Sequence, residues 1–298
     1  MANILITGTS SGFGRVTALA LARRGHRVFA GMRAPETRSD AAARSLREEA
    51  AGTGLEVVAL DVTEDAAVEA AVSHAVAEAG PLDVVVNNAG VAAGGVTEAF
   101  TVGDAQRLFD VNVFGQIRLA RAVLPAMRAR GAGLFVNVTS TLSREVVPFL
   151  AMYEASKFAL DGLWEAWRYE LTGHGIEVVL VQPGTFPTTA IVQNLLQPGD
   201  PGRIAGYAEL LPRIDSFFGG MAAYAQSGQA PDPARVAEAV VEVVEAPAGA
   251  RPVRVVVDPN GPGAAARMNA LAATEQGAIL ANLGLETLLT PRRPVGGP

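Results

Sequence analysis

Residues Ile4-Leu5-Ile6-Thr7-Gly8-Thr9-Ser10-Ser11-Gly12-Phe13-Gly14 open the chain with an apolar run, a glycine-punctuated turn and the start of an Ala/Leu-rich stretch. In that order they predict a strand over 4–7, a tight turn and a helix over 13–24. Glycines let a backbone turn sharply and approach a pyrophosphate, and the N–H groups at a helix start suit its charge. A glycine-rich turn alone says little, but its place between a first strand and a first helix gives it meaning. Gly8, Ser10, Ser11, Gly12, Phe13 and Gly14 are therefore candidate cofactor-binding residues.

The same rhythm continues down the chain. Short β-branched runs at 27–31, 56–60, 82–86, 133–138, 177–181 and 253–257 alternate with helical stretches at 38–51, 65–79, 104–130, 151–172 and 233–246. The strand runs are apolar throughout, as strands buried on both faces should be. Strand–helix alternation of this kind predicts an α/β fold with a doubly wound parallel sheet and helices on both faces. No internal boundary or repeat interrupts residues 1–298, so a single domain is expected. The stretch 187–231 breaks the rhythm with many Gly and Pro and several large apolar residues. The tail 258–298 reads as a C-terminal extension, helical near 263–283 and frayed over 291–298.

Composition excludes several classes of function. Net charge is −6 and the isoelectric point about 5.2, which gives no footprint for nucleic acid. No Cys is present, so disulfides and thiolate metal sites are excluded. His26, His74 and His174 are far apart, sit near helix ends or turns and are expected to be solvated, so no metal is expected. No apolar run reaches the roughly 18 residues of a membrane span. The first strand begins almost at Met1, which leaves no room for a signal peptide. A soluble cytoplasmic protein is the expectation.

Of the 24 basic residues, Lys157 alone is lysine. Arg is a planar fork that stays protonated, whereas Lys is a compact ammonium on a flexible stem. Keeping one Lys against that bias points to a position that needs a point charge. Tyr153 lies four residues upstream, on the same helix face. A cation beside a phenol favours the phenolate and lowers a pKa that starts near 10, which makes a usable proton donor and acceptor.

The spacing Gly8-x3-Gly12-x-Gly14, with Asn87-Asn88-Ala89-Gly90, Asn112, Ser140, Tyr153-x3-Lys157 and Pro183-Gly184, resembles the short-chain dehydrogenase/reductase family over residues 3 to about 257. The resemblance implies one Rossmann-type domain with a sheet of about seven strands. It implies a catalytic set in which Tyr153 is the acid/base and Lys157 tunes it and holds the nicotinamide ribose. Ser140 would bind the reacting oxygen, and Asn112 would hold a water leading to solvent. Asn112 has a plain structural reading too, as a bridge between helices. Asn88, Ala89, Gly90, Pro183, Gly184 and Thr188 are implied cofactor contacts, as are Asp61 and Val62 after the third strand. Trp164 and Trp167 lie on a helix that often forms a dimer interface in this family, so they read as interface or core, and a homodimer or homotetramer is implied.

The second strand ends in Gly31-Met32-Arg33, without the carboxylate that would take up a ribose 2′-hydroxyl. Arg33 follows instead, with Ser11 as a further donor, and the resemblance to family members with this arrangement implies NADP rather than NAD. The wording around Tyr153 and Arg33 looks like the branch containing 17β-hydroxysteroid and retinol dehydrogenase-like enzymes. A lipophilic ketone, aldehyde or secondary alcohol is the implied substrate, with 187–231 as its apolar wall or lid. Two other readings stay open: a β-ketoacyl-thioester reductase, which would want a basic patch for an acidic carrier, and an NADP-binding regulator without turnover, against which the intact Tyr153 and Lys157 argue.

Overall fold

Alternate residues of each central strand point into different cores. Ile4 and Ile6 of β1 (Asn3–Thr7) join one apolar cluster and Leu5 the other. β4 (Val84–Asn87) divides in the same way between Val84 and Val86 on one side and Val85 on the other, and β5 (Gly133–Val138) between Leu134, Val136 and Val138 and Phe135. This two-sided burial is why the runs lack a polar face. In the computed structural model, which describes residues 1–289, these strands join β2 (Arg27–Met32), β3 (Leu55–Ala59), β6 (Ile176–Pro183) and β7 (Arg254–Val257). The sheet is parallel throughout, in the order β3-β2-β1-β4-β5-β6-β7.

One face is covered by α1 (Gly12–Arg23), α2 (Asp40–Glu49) and α9 (Ala234–Glu245), through Leu21, Leu46 and Val240 among others. The other is covered by α3 (Asp65–Ala79), α5 (Gly115–Arg130) and α6 (Ala151–Leu171), through Val68, Leu119 and Trp164. Trp164 is fully buried, donates Nε1–H to Gln116 Oε1 at 2.7 Å and stacks on Trp167. Trp164 is therefore core.

The helix expected over 104–130 is in three parts. α4 (Val102–Phe109) runs through a π-helical turn, Asp110–Phe114, into α5. His26 also departs from expectation. It is 8% exposed, accepts the Ala2 amide at Nδ1 and lies 3.6 Å from Glu245, because the end of α9 covers it. The irregular stretch contains α7 (Ala190–Gln193), a 3₁₀ stretch over Pro201–Leu210 and α8 (Leu211–Gln226). α10 (Ala264–Asn282) follows β7. The fraying expected for 291–298 lies outside the described residues.

Candidate active site

The strand order reverses between β1 and β4, and the loops leaving their C-terminal ends open a crevice there, the usual ligand position in such sheets. Gly8 sits at φ +71°, and a Cβ on it would come within 2.8 Å of Ala89 Cα. A Cβ on Gly14 would meet Asn88 Nδ2 at 2.3 Å. The glycines thus let the two loops touch. The contact is held by Asn88 Nδ2–H bonds to the Thr7 and Gly8 carbonyls, and by Thr7 Oγ1 accepting the Asn88 and Ala89 amides. α1 has no acidic residue in its first turn, and the Ser11 side chain does not cap it. Its first N–H groups therefore remain available to an anion.

A cavity of about 700 Å³ follows this crevice. Gly8, Ser10, Ser11, Gly12 and Phe13 line one end, with Arg33, Asp61 and Val62 beside them. Asn88, Ala89 and Gly90 form its middle, and Tyr153 and Lys157 its far end. Arg38 and Ser39 line it as well, although nothing in their local sequence marks them. Arg33 and Arg38 are both exposed, and neither forms an ion pair among the described residues. Asp61 accepts the Thr63 amide and hydroxyl, which closes the turn after β3. Thr189 and Ala190 line this cavity, whereas Thr188 lines a second one. Pro183 and Gly184, at the end of β6, line neither.

The four candidate catalytic residues converge at the ends of β4 and β5. Lys157 Nζ donates to the Val138 carbonyl at 3.2 Å and lies 5.5 Å from the centre of the Tyr153 ring. Ser140 Oγ accepts the Leu142 amide at 3.1 Å, which leaves its own O–H to donate elsewhere. Asn112 sits on the π-helical turn and is fully buried. Its side chain exchanges both hydrogen bonds with Val91 (2.8 and 2.9 Å) and donates to Ser156 Oγ at 3.0 Å. The extra residue of that turn aims Asn112 inward, where it ties the loop after β4 to α6.

Burial sets the titration of this pair. It pushes the Tyr153 phenol up to about 12, with the Ser140 hydroxyl pulling the other way, and takes the Lys157 ammonium down to about 8. The expected lowering of Tyr153 by Lys157 does not prevail here, because desolvation disfavours the charged form of each group and dominates both shifts. A stability signature follows. Between about 8 and the ordinary lysine value of 10.5, the unfolded chain holds a proton at Lys157 that the folded chain has lost. Stability attributable to this residue therefore rises with pH across that window, and the penalty is fully present below it. Lys157→Met removes the penalty, worth up to about 3 kcal/mol. The variant is expected to be more stable than the parent at pH 7 and nearly equal at pH 10, in urea denaturation without cofactor. Tyr153 acts with opposite sign, but only above pH 10. A constant gap between the two proteins at both pH values would exclude a desolvated ammonium.

The second cavity, about 710 Å³, is lined by Gly94, Leu195, Ile214 and Phe218 among others, and its one charged lining residue is Asp215. α8 forms its outer wall and buries none of its residues. Phe217 packs edge-on to Phe149, and Phe218 rests against Gly94, where a Cβ would come within 2.5 Å of its ring. The segment before α8 is tied down more firmly, by Gly199 N–H to Asp104, by Leu196 alongside Ala93, and by Arg203 and Tyr207 to Glu98. Among the described residues no cluster of His, Asp or Glu is placed to hold a metal, and no helix is long and apolar enough to cross a membrane.

The chain is similar to known proteins in sequence and in fold. Residues 2–198 match a family model described as short chain dehydrogenase. The chain is 38% identical over 185 residues to a 3-ketodihydrosphingosine reductase of Bacteroides thetaiotaomicron, covering 62% of this chain and 64% of that protein. It is 35% identical over 252 residues to retinol dehydrogenase 8 of Bos taurus, covering 81% and 77%. Thus the match spans somewhat less than two thirds of the first of these relatives. A crystal structure of an actinorhodin polyketide ketoreductase variant with NADPH is similar at a TM-score of 0.70 and 30% identity, over 89% of this chain and 97% of that one.

Proposed function

This chain belongs to the short-chain dehydrogenase family and is an oxidoreductase; we propose that it moves hydride between NADP and a lipophilic ketone, aldehyde or secondary alcohol. One observation carries the proposal. A single cavity has a glycine turn, a helix start and two unpaired arginines at one end, and Tyr153 with Lys157 at the other. That suits a dinucleotide with its phosphates on α1, its adenosine end beside Arg33 and Arg38, and its nicotinamide end beside Tyr153. A bound nicotinamide supplies or accepts the hydride.

The chain's own residues manage the oxygen and the proton. Tyr153, held as the neutral phenol, donates its proton to the carbonyl oxygen as negative charge develops there. Ser140 donates a second hydrogen bond to the same oxygen. Lys157 holds the ribose and, through the Val138 carbonyl, the end of β5. Asn112 keeps the loop after β4 against α6. Residues 187–231 serve as the substrate-binding lid of a single NADP-binding domain, with α8 as the movable part.

A β-ketoacyl-thioester reductase is the second reading, favoured by the likeness to a polyketide ketoreductase. The acidic Asp215 at the second cavity is a poor receptor for an acidic carrier. An NADPH-oxidation screen across steroid and retinoid carbonyls, long-chain aldehydes, small ketones and β-ketoacyl thioesters separates the readings. Turnover confined to thioesters would overturn the first. For a bulky apolar substrate, Phe218→Ala is expected to raise KM by about tenfold or more, the scale of one buried aromatic contact. KM for a small ketone should stay nearly unchanged. An equal rise for both would remove the apolar-wall role.

A further inference from the structure

The loop that carries Ser140 is fastened from behind by a buried polar network that the chemistry above does not use. Ser143 donates its hydroxyl to the Ser140 carbonyl at 2.7 Å and accepts Gln182 Nε2–H at 2.9 Å. Gln182 also donates to Asp161 Oδ1 at 3.0 Å. Asp161, on α6, is 1% exposed and faces two guanidiniums, Arg144 at 2.5 Å and Arg254 at 2.9 Å. Arg144 belongs to the Ser140 loop, and its Nε donates to Asn269 Oδ1 on α10 at 2.8 Å. Asn269 Nδ2 donates back to Gln182 Oε1 at 2.6 Å. The next loop residue, Glu145, accepts the Ala265 amide at the start of α10. α10 buries only Ala265 and Leu280, so these polar bonds are a large part of its attachment.

Burying a carboxylate between guanidiniums adds little net stability, since desolvation offsets the attraction, but breaking such a set is costly and its geometry is rigid. The network's end points are the Ser140 carbonyl and the C-terminal helix. We propose that Asp161, Arg144 and Asn269 are positioning residues through which α10 fixes the orientation of Ser140 toward the reacting oxygen. The proposal rests on the reading of Ser140 and Tyr153 as the hydride-transfer site.

Asn269 is only partly buried, which makes Asn269→Leu a mild probe. It is expected to lower kcat by about tenfold, the scale of a small misplacement of a catalytic group, while the NADPH dissociation constant stays unchanged. The Ser140 hydrogen bond holds the Tyr153 pKa down, so the pH profile of alcohol oxidation should also move upward, which general loosening of the fold would not cause. Arg144→Gln should behave alike, and the double variant should be no worse than Arg144→Gln alone. Asn269→Asp keeps the acceptor for Arg144 but loses the donor to Gln182 Oε1, so it should recover only part of the activity. Wild-type kcat and pH profile in both single variants would overturn the proposal, as would a fall in kcat matched by an equal loss of NADPH binding. Ser140→Ala separates the two levels of inference. An active Ser140→Ala enzyme would sink the site reading itself, whereas an inactive one beside normal network variants would sink only the positioning role.

Discussion

Tyr153→Phe is expected to lower turnover by about 10²–10⁴-fold, the usual contribution of a general acid or base, while NADPH still binds. Phenylalanine keeps the ring that packs beneath Lys157 Nζ and loses only the hydroxyl. The phenol lies in a site dry enough to push its pKa up to about 12, so its proton is present throughout the neutral range. The effect should therefore be nearly the same at pH 6 and pH 8 in the direction of carbonyl reduction. Single-turnover rates with saturating NADPH, paired with cofactor titration by fluorescence, would test it. Retention of more than a tenth of the activity would remove Tyr153 from the role.

The second large effect concerns cofactor choice. Arg33→Ala and Arg38→Ala should each weaken NADPH by on the order of tenfold to a hundredfold, the worth of a hydrogen bond to a charged partner. The pair together should weaken it further, and NADH should change little. Both guanidiniums are exposed, so the discrimination should shrink as salt rises. Dissociation constants measured directly for the two cofactors, at low and moderate ionic strength, decide the matter. An equal loss for NADPH and NADH would refute a 2′-phosphate role for either arginine.

Much of this site was legible from residue order. The turn from Gly8 to Gly14, the strand ends before Asn88 and Ser140, and the i, i+4 pair Tyr153 and Lys157 are local patterns, and each lies at the crevice. Arg33 was visible because it directly follows a strand. Arg38 was not, because it reaches the cavity from a loop whose course depends on where α2 packs. Thr188 illustrates the limit of residue-level reading, since one step along a turn decides between the two cavities, and Thr189 lines the one shared with the glycine turn.

Periodicity by itself determined the alternation of elements and the two-sided burial of the strands, because these are properties of neighbours in the chain, and the motifs carried the resemblance to the family. Tertiary structure decided the rest. The π-helical turn at Asp110–Phe114 forms where Asn112 finds Val91 and Ser156, partners 21 and 44 residues away. The Asp161 network draws on α6, β6, β7 and α10 at once. The pKa values of Tyr153 and Lys157 were set against expectation, because desolvation depends on everything packed around a group and the four-residue spacing records only the one neighbour that shares its helix face.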